Sequence, residues 1–464
     1  MTLIKSISGI RGTIGGNVND NLTPVDAVKF AAAYGSWLIK RNPSNKKLTV
    51  VLGRDARISG KMISSLVANT LVGLGIDVKD LGLSTTPTVE IAVPLEGADG
   101  GIILTASHNP KQWNALKLLN EKGEFLNGQD GQEILQLAEN DDYIFSDVDN
   151  LGKYTKEKGY IDKHIEAVLD LDLVDVEAIK NANFKVVVDA VNSTGGIAIP
   201  KLLDKLGVTC VKLYCEPNGQ FPHNPEPLAA HLTDISELVV KEKADLGIVV
   251  DPDVDRLALI CEDGSMFGEE YTLVACADYV LGKVGGNTVS NLSSSRALRD
   301  ITEKHGGTYQ ASAVGEVNVV QRMKDTDAII GGEGNGGIIY PASHYGRDSL
   351  VGVALFLSHL ANTKQSCKTL RNSYPNYFMS KNKIQLTPAI NVDEILKVMA
   401  AKYASEEVST IDGVKIDFEK EWVHLRKSNT EPIIRVYTES TSQKNADDLA
   451  RRIMDEIEAI SLNS

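Results

Sequence analysis

Three aspartates alternate with other residues in the segment DPDVDR, residues 251–256, between the apolar runs LGIVV and LALIC. In an extended segment, residues two apart lie on the same face, so Asp251, Asp253 and Asp255 could converge. Three close carboxylates repel one another unless a cation lies among them. Because hard oxygen ligands favour Mg²⁺ or Ca²⁺ over zinc, the pattern predicts a divalent metal site. The alternative is a solvated acidic turn.

An EF-hand calcium loop is excluded for the same segment. Glu262 stands at the twelfth position, as an EF-hand requires, but Arg256 occupies the position that needs glycine. The flanking runs also predict strands, whereas an EF-hand is flanked by helices. Three carboxylates leave coordination positions of the metal free, which suits a cation that also binds a phosphate oxygen.

A serine and a histidine follow an apolar run in GIILTASHNP, residues 101–110. A Ser–His hydrolase is disfavoured because the G-x-S-x-G pattern is absent, and because adjacent residues of an extended loop seldom face each other. A serine that accepts and donates a phosphoryl group fits the predicted metal site better. Ser107 is therefore the candidate phosphate carrier, and His108 is a candidate for proton transfer or phosphate contact.

The segment RKSNTEPIIR, residues 426–435, concentrates donors for an anion. Guanidinium, hydroxyl and amide groups of this kind suit a phosphate dianion, with backbone N–H groups as further donors. It is not a Walker loop, because G-x-x-x-x-G-K-[ST] is absent. The alternative is a capped polar hairpin. The candidate donors are Arg426, Ser428, Asn429, Thr430 and Arg435.

Two further motifs combine glycines with polar side chains. GGEGNGG, residues 331–337, carries Glu333 and Asn335 among five glycines, which permit close approach of a ligand. These two side chains could bind sugar hydroxyls, and the alternative is a tight turn. The segments SGIRG, with Arg11, and GRDARISG each place arginine between small residues, where it could hold an anion or a carboxylate.

Strand and helix patterns alternate through most of the chain. A helix is predicted from residue 22, with Thr23 as cap and Pro24 in its first turn, and another from residue 59 with Ser59 as cap. An apolar strand, a polar turn and a helix recur from residues 185 and 287. This predicts three α/β units in tandem, with mainly parallel strands and sites at their carboxyl ends.

The last part of the chain has a different pattern. Tyr374–Pro375–Asn376–Tyr377 predicts a linker. WVHLRKSNTEPIIRVYTES predicts two strands around a turn, and KNADDLARRIMDEIEAI predicts an amphipathic terminal helix. Strands followed by a helix indicate a separate, smaller α+β domain.

Composition limits the classes of function. The 464 residues suggest about three domains, and two to four would fit the usual domain size. A net charge of −14 argues against nucleic-acid binding. Five scattered cysteines indicate reduced thiols, and neither a signal peptide nor a membrane span of about 18 apolar residues is found. The sequence therefore predicts a cytoplasmic protein without a membrane partner.

TASHNP, DPDVDR, GGEGNGG and RKSNTEP, in this order, resemble the α-D-phosphohexomutase family, and the resemblance extends from SGIRG to the C-terminal loop. It implies three similar α/β/α domains and a fourth α+β domain around a central cleft. The predicted domains are 1–150 with the phosphoserine, 151–256 with the metal loop, 257–372 with the sugar-binding loop, and 373–464 with the phosphate-binding loop.

The resemblance also implies the chemistry. Phosphate moves reversibly between the 6-hydroxyl and the 1-hydroxyl of a hexose through a phosphoserine at Ser107 and a 1,6-bisphosphate, which also serves as activator. Asp251, Asp253 and Asp255 hold Mg²⁺ against the Ser107 phosphate, so Ser107 is itself a metal ligand.

The family resemblance assigns roles to the remaining candidates as well. Arg256 stabilises the transferring group, Arg11 lies near the phosphoserine, and Lys117 and His108 are candidates for general acid and base. The sugar loop and the anion loop contact the substrate, and the residues matched are Glu333, Asn335, Arg426, Ser428, Asn429, Thr430 and Arg435.

Departures from the family pattern bear on the sugar. Gly337 stands where many members carry histidine, Gly315–Glu316 stands where many phosphoglucomutase/phosphomannomutase members carry Gly-His, and Thr105 leads the serine motif. The motifs are most similar to a branch that acts on glucosamine phosphate, so we expect that substrate; glucose and mannose phosphates are the alternative. A phosphoserine-dependent phosphatase and an inactive phosphosugar-binding module are further alternatives. For the oligomeric state we expect a monomer or a homodimer.

Overall fold

A computed structural model describes residues 1–6, 9–43, 46–385, 391–427 and 433–462, except for the side chains of residues 461 and 462. The chain divides into two compact units. Unit 1 comprises Met1–Lys283 and Asn335–Arg371, and unit 2 comprises Val284–Gly334 and Asn372–Ser464. Within the described residues, every helix is too short or too polar to pass through a lipid bilayer.

The described strands are short, and most are bounded by turns. In chain order they are β1 (Ile4–Ser6), β2 (Gly9–Thr13), β3 (Thr49–Arg54), β4 (Asp77–Leu83), β5 (Gly100–Leu104), β6 (Trp113–Leu119), β7 (Tyr154–Lys156), β8 (Lys185–Asp189), β9 (Thr209–Leu213), β10 (Leu246–Val250), β11 (Leu257–Cys261), β12 (Asn287–Asn291), β13 (Tyr309–Ser312), β14 (Ala328–Glu333), β15 (Gly337–Ile339), β16 (Phe378–Gln385), β17 (Glu407–Ser409), β18 (Val414–Asp417), β19 (Trp422–Lys427) and β20 (Ile433–Ser440).

Helices connect most of the parallel strands. In chain order they are α1 (Pro24–Arg41), α2 (Gly60–Gly73), α3 (Thr86–Leu95), α4 (Gly128–Glu139), α5 (Tyr160–Leu169), α6 (Val176–Ala182), α7 (Gly195–Lys205), α8 (Thr233–Glu242), α9 (Glu269–Val284), α10 (Ala297–Lys304), α11 (Glu316–Asp325), α12 (Ser349–Thr363), α13 (Cys367–Asn372), α14 (Val392–Lys402) and α15 (Gln443–Leu462). Short 3₁₀ turns lie at Val148–Asn150 and Ala229–His231.

The first sheet of unit 1 has the order β1-β2-β6-β5-β3-β4-β7. Strand β3 pairs in parallel with β4 and β5, while β6 pairs antiparallel with β2 and β5. Val50 and Leu52 of β3 join a core with α1, α2 and α4, whereas Val51 joins a core with α3. Because alternate side chains of a strand point to opposite faces, helices cover both faces of this sheet.

The second sheet of unit 1 has the order β11-β10-β8-β9. β10, β8 and β9 are parallel, and β10 turns directly into its antiparallel neighbour β11. β10 and β11 are buried at every position, which matches their continuous apolar sequences. This tight connection is the DPDVDR segment, so the turn places the three aspartates at the carboxyl end of a central strand.

Unit 2 contains one set of parallel strands and one antiparallel sheet. β12 pairs in parallel with β13 and β14. β16-β20-β19-β18-β17 form an antiparallel sheet, and α14 and α15 share a core with it. The predicted pair of C-terminal strands and the terminal helix are therefore confirmed, as is the α/β fold class with a C-terminal α+β part.

The helix predicted from residue 22 is confirmed as α1. Thr23 accepts a hydrogen bond from Asp26 N, and the Asp26 side chain accepts one from Thr23 N, which completes a capping box. Ser59 stands at the N-terminal cap position of α2 but makes no capping bond, since its hydroxyl accepts a hydrogen bond from Asn114 instead. Ser59 is thus the predicted cap residue, but its helical backbone conformation replaces the extended one from which a side chain usually caps a helix.

Two strands pair with strands on the other side of a predicted domain boundary. β7 pairs with β4 of the first sheet although the first domain was predicted to end at residue 150. β11 pairs with β10 although the second domain was predicted to end at residue 256. Hydrogen bonding across each sheet therefore carries the chain past these boundaries. Parallel pairing, as predicted, joins β5, β3, β4 and β7, and it joins β10, β8 and β9, whereas β1, β2, β6 and β11 have antiparallel partners.

Candidate active site

Two loops of unit 1 bring Ser107 and the aspartates together. The loop after β5 carries Ser107, and the turn after β10 carries Asp251. Ser107 Oγ donates a hydrogen bond to Asp251 Oδ2 at 2.7 Å, across 144 residues of sequence. Ser107 is 7% exposed and Asp251 is fully buried, so the contact is shielded from water. The carboxyl ends of strands from two different sheets therefore form one site.

The three carboxylates do converge. One oxygen from each of Asp251, Asp253 and Asp255 lies within 4.8 Å of the others, and all three side chains are fully buried. The expected extended conformation is absent, because the segment is a tight turn in which Val254 has a φ of 65°. A β-branched residue in the left-handed region is a conformational outlier, and such strain is common at functional sites.

These residues fit a divalent cation. The buried Oδ1 atoms of Asp253 and Asp255 accept no hydrogen bond within the described part of the chain. Burial, together with the neighbouring carboxylates, raises the pKa of Asp251 well above its ordinary value. A cation bound by the free oxygens would neutralise this repulsion. The cluster is therefore a possible acidic metal site.

A buried arginine holds the loop that presents Ser107. Arg57 donates from Nη2 to Ser107 O at 2.5 Å and Asn109 O at 2.7 Å, and from Nη1 to Pro110 O and Trp113 O. Ser107 itself has a φ of 47°, in the left-handed region that costs energy for a residue with a side chain. The guanidinium thus donates to the carbonyl groups of the loop, and these hydrogen bonds maintain its conformation.

Asp55 completes the support of the Ser107 loop. Its Oδ2 accepts hydrogen bonds from Arg57 Nε at 2.9 Å and from Thr105 Oγ1 at 2.7 Å. Thr105 Oγ1 in turn accepts from Ser107 N at 3.0 Å. The segment GRDARISG was predicted to hold an anion or a carboxylate, and its Arg57 binds the carboxylate of Asp55.

Replacing Arg57 with lysine is expected to lower the free energy of unfolding by about 1–3 kcal/mol, because buried carbonyl groups that the guanidinium binds are left without a donor. One ammonium cannot donate to Asp55 and to four carbonyl groups in the fixed geometry of a guanidinium. Thermal unfolding measures the effect. Arg54→Lys is the matched control, since that half-buried side chain donates to Asp55 O from the same turn. Equal losses in the two variants would contradict the proposed role.

Arg11, Arg256 and His108 form a basic group next to Ser107. The buried Nε atoms of Arg11 and Arg256 have no hydrogen-bond partner among the described residues. Burial, and then the charge of Arg256, lowers the pKa of Arg11; the same two causes lower the pKa of His108 to about 2. His108 Nδ1 lies 3.4 Å from Ser107 Oγ. Arg256 also pairs with Glu226 at 3.5 Å, and two close guanidinium groups are surroundings that favour an anion such as phosphate.

Lys117 joins the carboxylates rather than the basic group. Its Nζ lies 2.8 Å from Asp253 Oδ2 and 3.4 Å from Asp255 Oδ2. Burial by itself would lower the pKa of Lys117, but the two carboxylates outweigh it and raise the pKa above its ordinary value. Lys117 is therefore an ammonium donor beside the possible metal site, which is compatible with its predicted role as an acid.

Unit 2 contains other predicted substrate residues. Glu333 Oε1 accepts hydrogen bonds from Asn291 Nδ2 at 2.8 Å and from Gly315 N at 3.2 Å. Arg426 and Arg435 lie directly opposite each other on β19 and β20, and Arg426 Nε forms an ion pair with Asp412 at 2.9 Å. The predicted residues Ser428, Asn429 and Thr430 lie outside the described residues.

Asn335, the other predicted sugar contact, begins the second segment of unit 1. Its Oδ1 accepts a hydrogen bond from Gly337 N at 3.2 Å, so it stabilises its own turn.

Residues that support the site from a distance were missed. Thr86 Oγ1 donates to Asp253 Oδ2 at 2.6 Å, and Arg347 Nη2 donates to Asp255 Oδ2 at 2.7 Å. Both come from elements far away in sequence, and neither stands in a motif. The only local signal was an arginine followed by the helix-capping Asp348, which by itself indicates a helix start.

Comparison with known proteins identifies the architecture. Models of the phosphoglucomutase/phosphomannomutase alpha/beta/alpha domains I, II and III match residues 3–144, 158–264 and 268–377, and the model of the C-terminal domain matches residues 382–456. These matches define a four-domain enzyme of the phosphohexomutase class. The chain belongs to the phosphoglucomutase/phosphomannomutase family, and it is therefore an isomerase.

Individual relatives carry two kinds of name. The chain is 35% identical to the phosphoglucomutase/phosphomannomutase of Thermococcus kodakarensis, over 94% of this chain and 95% of that protein. It is 33% identical to the phosphoglucosamine/phosphogalactosamine mutase of Sulfurisphaera tokodaii, over 96% and 97%. A crystal structure of a family protein from Burkholderia thailandensis matches with a TM-score of 0.83 and 27% identity, over 99% and 98% of the two chains.

Proposed function

We propose that this phosphohexomutase interconverts glucosamine 6-phosphate and glucosamine 1-phosphate through a phosphoserine at Ser107 and a glucosamine 1,6-bisphosphate. The observation that carries the mechanism is the 2.7 Å contact between Ser107 Oγ and Asp251 inside a buried carboxylate cluster. A hydroxyl in this position can carry a phosphoryl group next to a cation. A hydrolytic Ser–His pair is less consistent with it, since Ser107 donates to Asp251 rather than to His108.

We propose that Asp251, Asp253, Asp255 and the phosphorylated Ser107 hold Mg²⁺. When bound, the ion would neutralise the negative charge that phosphoryl oxygens carry during transfer. The support is the set of possible metal ligands. They are buried carboxylate oxygens, and two of them accept no hydrogen bond from the described residues. Oxygen ligands of this kind favour Mg²⁺ over transition metals.

The protein's own groups position the reacting atoms. In the proposal Arg11 and Arg256 donate to the phosphoryl oxygens, and Arg57 holds the backbone of the Ser107 loop in place. His108 Nδ1 lies 3.4 Å from Ser107 Oγ, and Lys117 Nζ lies 2.8 Å from Asp253 Oδ2. These two side chains are therefore the candidates for moving the proton of the sugar hydroxyl. Holding the reactants in line supplies much of the rate enhancement in phosphoryl transfer.

The anion loop is proposed to hold the phosphate that is not transferred. Arg426 and Arg435 are directly opposite each other in an antiparallel pair, where like charges repel, and a bound anion would add to the compensation that Asp412 gives to Arg426. With Ser428, Asn429 and Thr430 they form the proposed phosphate contact, while Glu333 and Asn335 are proposed to contact sugar hydroxyls. A fixed phosphate contact would let the enzyme accept both isomers. A sugar 1,6-bisphosphate is the proposed activator.

The choice of glucosamine phosphate as the substrate rests on the name of one relative and on one residue that differs from the family pattern. The Sulfurisphaera relative is named for amino sugars, and Glu316 stands where many phosphoglucomutase/phosphomannomutase members carry histidine. A carboxylate suits an ammonium at the 2-position of the sugar. The relative from Thermococcus favours the second candidate, a phosphoglucomutase/phosphomannomutase.

A substrate panel tests the proposal. Turnover of glucosamine 6-phosphate, glucose 1-phosphate and mannose 1-phosphate is compared by kcat/KM, with Mg²⁺ and the matching bisphosphate present. We expect the glucosamine compound to give the highest value, and the proposal fails if that compound is clearly the poorest. Release of free phosphate without dependence on a bisphosphate would instead indicate a phosphatase, and binding without turnover would indicate an inactive module.

The cellular setting is part of the same proposal. The cysteines are free thiols throughout the described chain, which fits a reducing compartment, and we therefore propose a cytoplasmic location. The proposed partner is a small phosphosugar. A monomer and a homodimer are both compatible with the structure.

A further inference from the structure

Arg347 reaches the metal loop from a different part of unit 1. Its backbone forms an isolated antiparallel bridge with Ile339, the last residue of β15. The neighbouring Asp348 is buried, accepts a hydrogen bond from Leu350 N at 2.8 Å, and lies 2.8 Å from His164 Nε2. The backbone at residue 347 is thus held on both sides, and the side chain starts from a fixed point.

Gly337 provides the space through which the Arg347 side chain passes. Residue 337 is two residues before Ile339, so it is a diagonal neighbour of Arg347 across the bridge. A Cβ atom at residue 337 would lie 2.2 Å from Arg347 Cδ and 3.0 Å from Arg347 Cγ. Such distances are too short for carbon atoms, so any side chain at residue 337 would displace the arginine.

The guanidinium ends on one oxygen of Asp255. Arg347 Nη2 donates to Asp255 Oδ2 at 2.7 Å, and Lys117 Nζ lies 3.4 Å from the same atom. Asp255 Oδ1 is buried and accepts no hydrogen bond from the described residues. Both cations thus bind one oxygen and leave the other available to the carboxylate cluster.

We propose that Arg347 is a positioning residue for the metal loop. By holding Oδ2 it orients Asp255 so that Oδ1 faces the cation, and Gly337 is required because it leaves room for the arginine. The inference rests on the proposed function, since it assigns Asp255 to the Mg²⁺ site. Groups that orient a metal ligand from behind commonly contribute 10–100-fold to metal affinity or activity.

A simple charge-balancing ion pair would have the opposite effect. If Arg347 only neutralised Asp255, its removal would leave the site more negative, and Mg²⁺ would bind more tightly. If Arg347 orients Asp255, its removal lets the carboxylate rotate, and Mg²⁺ binds more weakly. The direction of the change in affinity therefore separates the two roles.

The experiment measures Mg²⁺ binding to the full chain by calorimetry, without sugar, and kcat and KM in the mutase assay. Arg347→Ala is expected to weaken Mg²⁺ binding about tenfold and to lower kcat more than it changes the KM of the hexose phosphate. Arg347→Lys should recover part of the loss, since the charge is kept. Mg²⁺ binding to Arg347→Ala as tight as wild type, or tighter, would overturn the proposal.

Gly337→Ala supplies an independent variant. It is expected to reproduce the weaker Mg²⁺ binding, and the double variant Gly337→Ala/Arg347→Ala should be no worse than Arg347→Ala alone. Losses that multiply in the double variant would overturn the proposed passage of Arg347 past Gly337. Arg41→Ala, which removes an ion pair with Asp130 elsewhere in unit 1, is the matched control and should leave Mg²⁺ binding unchanged.

The outcomes distinguish this inference from the proposed function. A failed substrate panel with altered Mg²⁺ affinity in the Arg347 variants would remove the sugar assignment and keep the positioning role. Conversely, an active mutase in which Mg²⁺ affinity is unchanged by Arg347→Ala and by Gly337→Ala would keep the proposed function and remove the positioning role.

Discussion

Replacing Ser107 with alanine is expected to lower kcat by at least about 10⁴-fold, the scale found when a covalent nucleophile is removed. The hydroxyl that lies 2.7 Å from Asp251 is the only atom lost, and in the proposed mechanism it carries the phosphoryl group. The left-handed backbone at residue 107 costs alanine about as much as it costs serine, so the fold should be kept. Mutase turnover and intact mass after incubation with a hexose 1,6-bisphosphate measure the result.

The serine variant needs a matched control and a clear opposing outcome. Ser84→Ala changes another buried serine of unit 1, whose Oγ makes no hydrogen bond with the described residues. Its turnover and its melting temperature should stay close to wild type. Full activity in Ser107→Ala would sink the phosphoserine mechanism, as would a bisphosphate-treated wild-type protein without an added phosphoryl mass.

Neutralising single aspartates of the metal loop is expected to lower kcat by about 10³-fold, which corresponds to about 4 kcal/mol of lost charge stabilisation in the transition state. Asp251→Asn and Asp255→Asn should both show this loss, since each removes one anionic ligand from the proposed Mg²⁺ site. Initial rates over a range of Mg²⁺ concentrations measure it. Rates close to wild type in both variants would contradict a metal role for the cluster.

The same two variants should differ in stability without metal. Burial and the neighbouring carboxylates make the Asp251 charge unfavourable, so Asp251→Asn relieves repulsion and should raise the melting temperature by a few degrees. Burial alone would disfavour the Asp255 charge as well, but Arg347 and Lys117 outweigh it and lower its pKa. Asp255→Asn leaves those cations without their partner and should lower the melting temperature. Equal shifts would contradict this assignment of charges.

Local features of the fold could be predicted from short stretches of sequence. Thr23 and Asp26 form the capping box of α1 because its partners are three residues apart, and the apolar runs that end before Thr105 and Asp251 form buried strands. Ser59 occupies the predicted cap position of α2 but makes no capping bond, and its hydroxyl binds Asn114, 55 residues away in sequence. Nothing near Ser59 indicates that competing partner.

Among the site residues, those with an unusual local spacing could be predicted, whereas those that act through long-range contacts could not. Asp251, Asp253 and Asp255 were found because their spacing is itself unusual, although the conformation that gathers them is a turn with Val254 in the left-handed region. Thr86 and Arg347 could not be found, since each reaches the carboxylates through a long-range hydrogen bond. A single arginine or threonine in a sequence carries no information about such a partner.

By itself the sequence determined the alternation of strands and helices, the acidic motif and the family, because these depend on residue types at short spacing. Only the tertiary structure decided which oxygen of Asp255 is held and which is free. It also decided that Arg57 holds the Ser107 loop and that Gly337 leaves room for Arg347. These contacts join residues from separate strands and loops, and their distances depend on how the sheets pack.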